Sequence, residues 1–431
     1  LFTAYCKNLT GFARINGILS GLLSSRSSEG DEEEVPALNP YGNIGRGFSP
    51  VEDLLENGWE GLWIVSANTN VLRMLLERGK EGLGAALFYG RPFTSVLGWA
   101  RTAGIPVVAL NDGVYVTEED RRLYTLLRAI DKNTTVGALH PDEQAGEYQR
   151  IVTSDEMERF FSAVPEALRQ TETMMRSLSC EGILRDPYVF PRFEGLSEAD
   201  AAVRLTALCY QGIQRRYGHI SREIEQRLRY ELSIVRRKGF ANYFLVVRDI
   251  VQRCPRTCGR GSSAASIISY VLGITHVDPL KHNLFFERFL NMGRKDPPDI
   301  DVDFPWDERK KALEYVFKKY FRHAGMVADH VTFGPRSSIR EPAKAMGIEE
   351  EEIGRLVNLS LTGNIDRVPR YLVKAAARIR GMPRHLGLHP GGVVITPDEI
   401  TQYTHVQISR NGLPVIAWEK EGTEDAGLVK I

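Results

Sequence analysis

Between residues 299 and 304 polar and apolar positions alternate without exception: Asp299, Asp301 and Asp303 interleave with Ile300, Val302 and Phe304. A period of two predicts a half-buried strand with three carboxylates on one face and the apolar side chains on the other. Upstream the spacing is helical over Arg227 to Gly239 and again over Tyr243 to Arg253, with Gly239 a C-cap between them and Tyr243 and Phe244 expected in the core. The apolar run Ala264 to Leu272 predicts a helix capped by Ser262 or Ser263. A charged amphipathic helix is expected over Glu308 to Arg322, and further helices from near Ser337. Near the N-terminus an amphipathic helix feeds an apolar strand, Ile105 to Leu110, which ends at Asn111 and Asp112, so residues 1–140 read as an α/β unit. Ser- and Glu-rich residues from Arg26 to Val35 predict an exposed loop, and His389-Pro390-Gly391-Gly392 a tight turn into a strand, Val393 to Thr396.

Composition adds bounds. The 431 residues suffice for two or three domains, and 43% apolar residues can build more than one core. Basic and acidic residues number 55 each, so net charge carries no sign of a nucleic-acid partner and only local patterning can. Five cysteines (Cys6, Cys180, Cys209, Cys254, Cys258), no signal peptide and no long apolar span fit a reducing cytoplasm and no membrane. Cys254 and Cys258 form a lone C-x3-C without a second ligand pair, which argues against structural zinc. The first residue is Leu1, so the N-terminus is expected to be trimmed.

Three adjacent carboxylates repel one another unless cations neutralise them, and hard divalent ions suit aspartate and phosphate oxygens together. The string is no EF-hand loop, since Phe304 and Lys310 stand where that loop needs Gly and Glu. Two readings of the strand remain, a metal platform or a charged edge that avoids aggregation. The turn Gly259-Arg260-Gly261-Ser262-Ser263 also has two: an ordinary loop-to-helix cap, or a phosphate cradle at a helix N-terminus with the Arg260 guanidinium beside it. It lacks the GxxxxGK[ST] pattern of a P-loop. Arg367, Arg370, Lys374, Arg378, Arg380 and Arg384 follow one another with no acid between, either as a stripe along a phosphate backbone or as a solvated face balanced by Glu349 to Glu352. His385 and His389 are four apart, but Gly387 and Pro390 oppose a helix and loop or core roles are favoured; His276, His282, His323 and His330 are scattered.

Taken together, CGRGSSAASIISYVLGITHVDPLKHNLFFERFLN and PPDIDVDF closely resemble the palm of the bacterial C-family DNA polymerases, the DNA polymerase III alpha subunits; RLRYELSIVRRKGFANYFLVVRDIV, HPGGVVIT and AGLVKI extend the resemblance. It implies a multidomain α/β fold: a partial PHP-type (polymerase-and-histidinol-phosphatase) domain over 1–140, a nucleotidyltransferase-like, polymerase beta-like palm over 141–330 and 385–431, and an inserted helical thumb over 331–384. It implies template-directed nucleotidyl transfer from dNTPs to a primer 3′-hydroxyl with two Mg2+ ions. In that scheme Asp299 and Asp301 are catalytic metal ligands and Asp303 a supporting carboxylate. Arg260, Gly261, Ser262 and Lys430 lie at the nucleotide triphosphate, and the basic stripe from Arg367 to Arg384 grips primer–template DNA. A sliding clamp and other replisome subunits would be met through regions outside these residues, in a bacterial cytoplasm.

Two departures qualify the resemblance. The family's third catalytic aspartate directly follows a Gly-Leu-Val-Lys-apolar segment, and the sequence ends at Ile431 of that segment; a fragment lacking this aspartate, the fingers and the clamp-binding region is expected to be inactive. PHP domains bind metal through histidines, one of them often just after the Asn-Asp pair, whereas here Asn111-Asp112 is followed by Gly113-Val114-Tyr115, so the first domain is read as structural. A catalytically dead DNA-binding scaffold, or another metal-dependent nucleotidyltransferase, are the alternatives. Features of HLGLHPGG and the eroded first domain point toward an error-prone branch over the main replicase.

Overall fold

A computed structural model describes residues 2–26, 48–179, 181–183, 188–254, 256–293, 297–298 and 300–431. Asp299, Cys180 and all but the first residue of the expected loop from Arg26 to Val35 lie outside them. Mixed α/β structure divides into two compact units, one of Leu1–Gly11, Val51–Ser179 and His330–Gly387, the other of Phe12–Pro50, Cys180–Asp329 and Leu388–Ile431.

The first unit is built on β1 (Thr3–Cys6), β2 (Leu62–Ser66), β3 (Leu83–Phe88) and β4 (Val107–Leu110), in that spatial order. β1 runs antiparallel to β2, and β2, β3 and β4 are parallel, joined by the helices Thr69–Leu76 and Thr94–Ala103. Short apolar runs such as Leu-Gly-Ala-Ala-Leu-Phe suit strands covered on both faces. Here Val65, Ala86 and Val108 pack with Met174 of the helix Pro165–Arg176. A second layer of this unit comprises the helices Ser337–Ala345, Glu350–Leu361 and Arg370–Ile379 around Ile339, Leu356, Leu372 and their neighbours. Ala345 joins Leu126 and Ala129 of the helix Glu118–Asp131 in one apolar cluster.

The second unit carries a two-stranded antiparallel ribbon, β5 (Cys258–Arg260) with β6 (Asp301–Asp303), in which Arg260 lies opposite Asp301 and Cys258 opposite Asp303. Its larger sheet has the order β8-β7-β10-β9, from β7 (Ala324–Thr332), β8 (Pro383–Ile395), β9 (Val406–Ile408) and β10 (Pro414–Ile416). Val327, Val394, Val406, Ile416 and Leu428 fill its core. The helices Arg222–Lys238 and Ala241–Val251 stand where the spacing predicts them, separated by Gly239 in the left-handed region at φ 73°. Tyr243 and Phe244 are fully buried.

Two local expectations are corrected. The turn after β5 is a single 3-10 turn, Gly261–Ala265, and the α-helix begins only at Ile267 with Ser266 as its cap, rather than at Ser262 or Ser263. The cause is distant in sequence: the fully buried Glu231 carboxylate accepts from the Ile267 amide at 3.1 Å, the Ile268 amide at 3.3 Å and the Ser266 hydroxyl at 2.7 Å. Arg227 neutralises it at 2.7 Å and also donates to the carbonyls of Ala265 and Leu284. The helix N-terminus therefore holds an internal anion. The HPGG segment is likewise no tight turn; it lies inside β8, with neither glycine at positive φ. Smallness is what Gly392 supplies, because a Cβ there would sit 3.0 Å from the Val327 side chain.

Candidate functional site

The ribbon puts the two sequence motifs side by side. β6 shows the expected alternation, Ile300 buried, Asp301 and Asp303 exposed and Val302 half-buried. The Arg260 guanidinium reaches across to Asp303 at 3.2 Å. Directly after it Gly261 adopts φ 66°, where an L side chain would be strained, and its bare Cα faces Asp301: a Cβ would lie 3.9 Å from that carboxylate. Gly259 serves close approach, since a Cβ would meet the Ile274 carbonyl at 2.7 Å. Ser263, buried, donates to the Arg260 carbonyl at 2.8 Å and closes the turn, while Ser262 is half-buried.

These residues open onto a cleft of about 540 Å³ within the second unit. Its floor is apolar, from Val247, Ile250 and Val251 on one helix and Ala312, Leu313 and Val316 on the helix Trp306–Tyr320. Its polar rim brings together Arg260, Asp301, Asp303 and Lys430; Gly261 and Ser262 are not among the lining residues. Arg309, His389 and Lys420 also line it, and of these the sequence draws attention only to His389. Arg309 sits on a helical face that reads as ordinary amphipathic surface, and it donates to the Pro390 carbonyl at 2.6 and 3.1 Å, fixing β8 against that helix. His389, for which the sequence favours a loop or core role, stands at the rim of the cleft. Its Nδ1 accepts from the amides of Gly392 at 2.7 Å and Gly391 at 3.2 Å, which leaves Nε2 as the N–H. Desolvation first, and then the nearby Lys430, hold its imidazole below the ordinary histidine range, so it is neutral at neutral pH.

Lys430 is carried by the last residues of the chain, which pair with β8 through Val393 and Ile431 at 2.8 and 2.9 Å, and its ammonium lies 3.5 Å from Glu424. The buried Tyr243 hydroxyl accepts from the Ile300 amide at 3.3 Å and reaches the Lys430 carbonyl at 3.5 Å. One phenol thus ties the acidic strand to the lysine segment. Four cationic side chains and a neutral imidazole against two carboxylates make a rim suited to a polyanion. The donor set on β6 is carboxylate oxygen, the chemistry hard divalent cations take, with exposed Asp301 turned to the cleft. Among the described residues no three His, Cys, Asp or Glu side chains converge closely enough to hold a metal; Asp299 is not one of them.

The basic stripe belongs to the first unit. Arg367, Arg370, Lys374, Arg378, Arg380 and Arg384 are all exposed. Arg378 pairs with Asp120, and Arg384 with Glu341 at 2.6 Å. The acidic run expected to balance the stripe has other partners, Arg340 for Glu350 and Arg355 for Glu352, both at 2.6 Å.

The same unit has a second place where ligands commonly bind, the carboxyl ends of its parallel strands. There Arg91 and Asp112 form an ion pair, and the Arg91 guanidinium lies 4.4 Å from the Tyr148 ring centre. The Asn111 amide donates to the Arg150 carbonyl at 3.0 Å. His385 lies exposed on β8.

Residues 203–431, more than half of the chain, match the family model described as "Bacterial DNA polymerase III alpha NTPase domain". An "Error-prone DNA polymerase" from Symbiobacterium thermophilum is 33% identical over 354 residues, covering 76% of this chain and 32% of that protein. A "DNA polymerase III subunit alpha" from Halalkalibacterium halodurans is 35% identical over 77% of the chain and 32% of its own length. The one from Bacillus subtilis is 31% identical over 81% and 34%. The chain thus spans about a third of the length of the curated relatives it matches. No helix among the described residues is long and apolar enough to cross a membrane.

Proposed function

Because the chain belongs to the bacterial DNA polymerase III alpha family, we propose that its cleft is the nucleotidyl-transfer site of a DNA-directed DNA polymerase, taking dNTPs and a primer–template. The observation that carries this reading is the pairing of β5 with β6, which sets Arg260 and Gly261 against Asp301 at the mouth of a cleft rimmed by Lys420 and Lys430. On this reading Asp299 and Asp301 hold the divalent ions, Mg2+ by the family's precedent, and Asp303 supports them by engaging Arg260. Bound there, such ions would lower the cost of ionising a primer 3′-hydroxyl and neutralise charge on a pyrophosphate leaving group.

The chain's own groups do the rest by electrostatics and position. Arg260, free to exchange its exposed contact with Asp303 for a phosphate, and Lys430, Lys420 and Arg309 offset triphosphate charge. Neutral His389 offers its Nε2–H as a donor without adding charge. Gly261 supplies the close backbone approach beside Asp301, and Ser262 follows it in the turn. The apolar floor limits water beneath the reacting atoms.

The remaining assignments of the reading are a PHP-like first domain, a palm in two stretches, and a thumb whose stripe from Arg367 to Arg384 follows the duplex backbone, with salt-sensitive affinity. Relatives of both the replicative and the error-prone name match at similar identity, so the branch is left open.

Calorimetric titration of dNTP with and without Mg2+ tests the site in this chain: binding is expected only with the metal and is expected to disappear in Asp301→Ala. Primer extension by a polypeptide carrying this sequence within the length of its relatives tests the reaction. Extension that survives Asp299→Ala/Asp301→Ala would sink the proposal.

A further inference from the structure

The helix Ala241–Val251 floors the cleft with Val247, Ile250 and Val251, and just past its C-terminal end a smaller pocket of about 280 Å³ opens in the same unit. Its polar lining comes from three elements: Arg215 and Arg216 at the end of the helix Glu198–Arg216, Gln252 just past the helix Ala241–Val251, and His276 in the loop beyond residue 273. No carboxylate lines it. Arg216 is held in place: its guanidinium stacks 4.9 Å from the Tyr270 ring centre and lies 3.1 Å from His276 Nδ1. Arginine carries no acceptor, so His276 Nδ1 must accept and its Nε2 is left as a donor. Every polar side chain at this pocket can therefore donate, and two carry full charge.

The cationic surface continues beyond the pocket. Arg248 lies one turn before Gln252 on its helix, and its buried Nε has no hydrogen-bond partner. Burial first, and then Arg215 and Arg204, push its guanidinium below the ordinary value. Arg204 precedes Arg215 by eleven residues, about 16 Å along one helix face at 1.5 Å per residue. Of the nearby acids, Asp249 is already engaged by Tyr315 and Lys319 at 2.7 and 2.8 Å, and Asp200, one turn before Arg204, accepts from the Ser197 hydroxyl at 2.6 Å.

We infer that this surface is a phosphate-binding site separate from the cleft, with the Arg215, Arg216, Gln252 and His276 pocket taking one phosphate and Arg248 and Arg204 continuing along a nucleic-acid strand. Donors converging from three directions suit a tetrahedral anion with several acceptor oxygens better than a planar carboxylate, and guanidinium forks match phosphate. A row of about 16 Å exceeds one phosphate and favours a strand over a free nucleotide. The inference does not depend on catalysis in the cleft.

The test follows the His276 ring by 1H–15N correlation while the chain is titrated with inorganic phosphate and, separately, with a short oligothymidylate. The ring is expected to shift with one or both: with the oligonucleotide at lower concentration if the source is a strand, with phosphate equally well if it is a free anion. Arg204 and Arg215 are exposed, so R204Q/R215Q should fold normally. It is expected to weaken the oligonucleotide response about tenfold and to cut the slope of log affinity against log salt by about 1.4, two charges at about 0.7 each. Arg216→Lys, which keeps charge but loses the fork, is expected to lose the phosphate response. The inference fails if the ring moves with neither ligand, if polyglutamate of equal charge moves it as well as the oligonucleotide does, or if R204Q/R215Q binds as the parent does. A D301A variant should respond as the parent, which separates this site from the cleft.

Discussion

The two edges where ligands could bind handle charge in opposite ways. At the carboxyl ends of β2, β3 and β4, Arg91 and Asp112 neutralise each other under the Tyr148 ring. In the cleft of the second unit, Asp301 and Asp303 face Arg260, Arg309, Lys420 and Lys430, exposed Asp301 being left open to the cleft while Arg260 holds Asp303. A pair that closes on itself offers a ligand no net charge, even though Arg91 Nε and Asp112 Oδ1 each keep an unused hydrogen-bonding position. A rim with unequal charge is held together by its scaffold and is completed by something else.

The sharpest way to break this contrast is Glu231→Ala. Glu231 is a closed charge inside the unit that holds the open cleft, and removing it leaves the half-buried Arg227 without its counter-ion and the buried Ser266 hydroxyl and Ile267 and Ile268 amides without their acceptor; about 3–5 kcal/mol of stability should be lost in chemical denaturation. A loss below about 1 kcal/mol would mean that the turn after β5 is held by other contacts. Next comes an exchange of roles between the two edges. Asp112→Ala should lower stability by about 1–3 kcal/mol while Mg2+-dependent dNTP binding is unchanged, and Asp301→Ala should do the reverse. If Asp112→Ala abolished nucleotide binding, the idea of a closed, structural edge would be wrong. Tyr243→Phe removes the hydroxyl between the Ile300 amide and the Lys430 carbonyl; about 1 kcal/mol should go, with weaker dNTP binding read in the same titration.

The mildest effect is one of pH. Hydrogen bonds from Thr117 first, and then Arg378, hold the Asp120 carboxyl down at about 2. Its folded-state value is thus below the ordinary 3.8, so its stabilising contribution is complete above about pH 4 and disappears as pH falls toward 2. Asp120→Asn should flatten acid unfolding in that window and leave stability at neutral pH nearly unchanged in its pH slope. An unaltered acid limb would remove Asp120 from the account.

Much of this was legible in sequence where the cause is local. Gly239 ends its helix because only a few residues tolerate the left-handed conformation there, and the Asp301, Val302, Asp303 alternation is a property of any strand. What escaped the sequence has distant causes. The cap moved from Ser262 or Ser263 to Ser266 because Glu231, some 35 residues earlier, occupies the helix N-terminus. The HPGG glycines serve packing against Val327 and donation to His389, which no turn propensity encodes. The stripe looked free of acid along the chain, yet Arg378 meets Asp120, separated from it by 258 positions. His389, Arg309 and Lys420 look ordinary until β8, the helix Trp306–Tyr320 and the helix Lys420–Asp425 bring them to one rim.

The Glu231 cluster also bears on time. The amides of Ile267 and Ile268 are bonded to a buried side chain on another helix, so fraying of their own short helix does not free them for exchange with solvent. They can take up deuterium only when the helix Arg222–Lys238 separates from this segment, and that separation also releases Arg227 from the Ala265 and Leu284 carbonyls. Two backbone hydrogens at the start of a six-residue helix should therefore exchange as slowly as the most protected part of the unit, and report its cooperative opening.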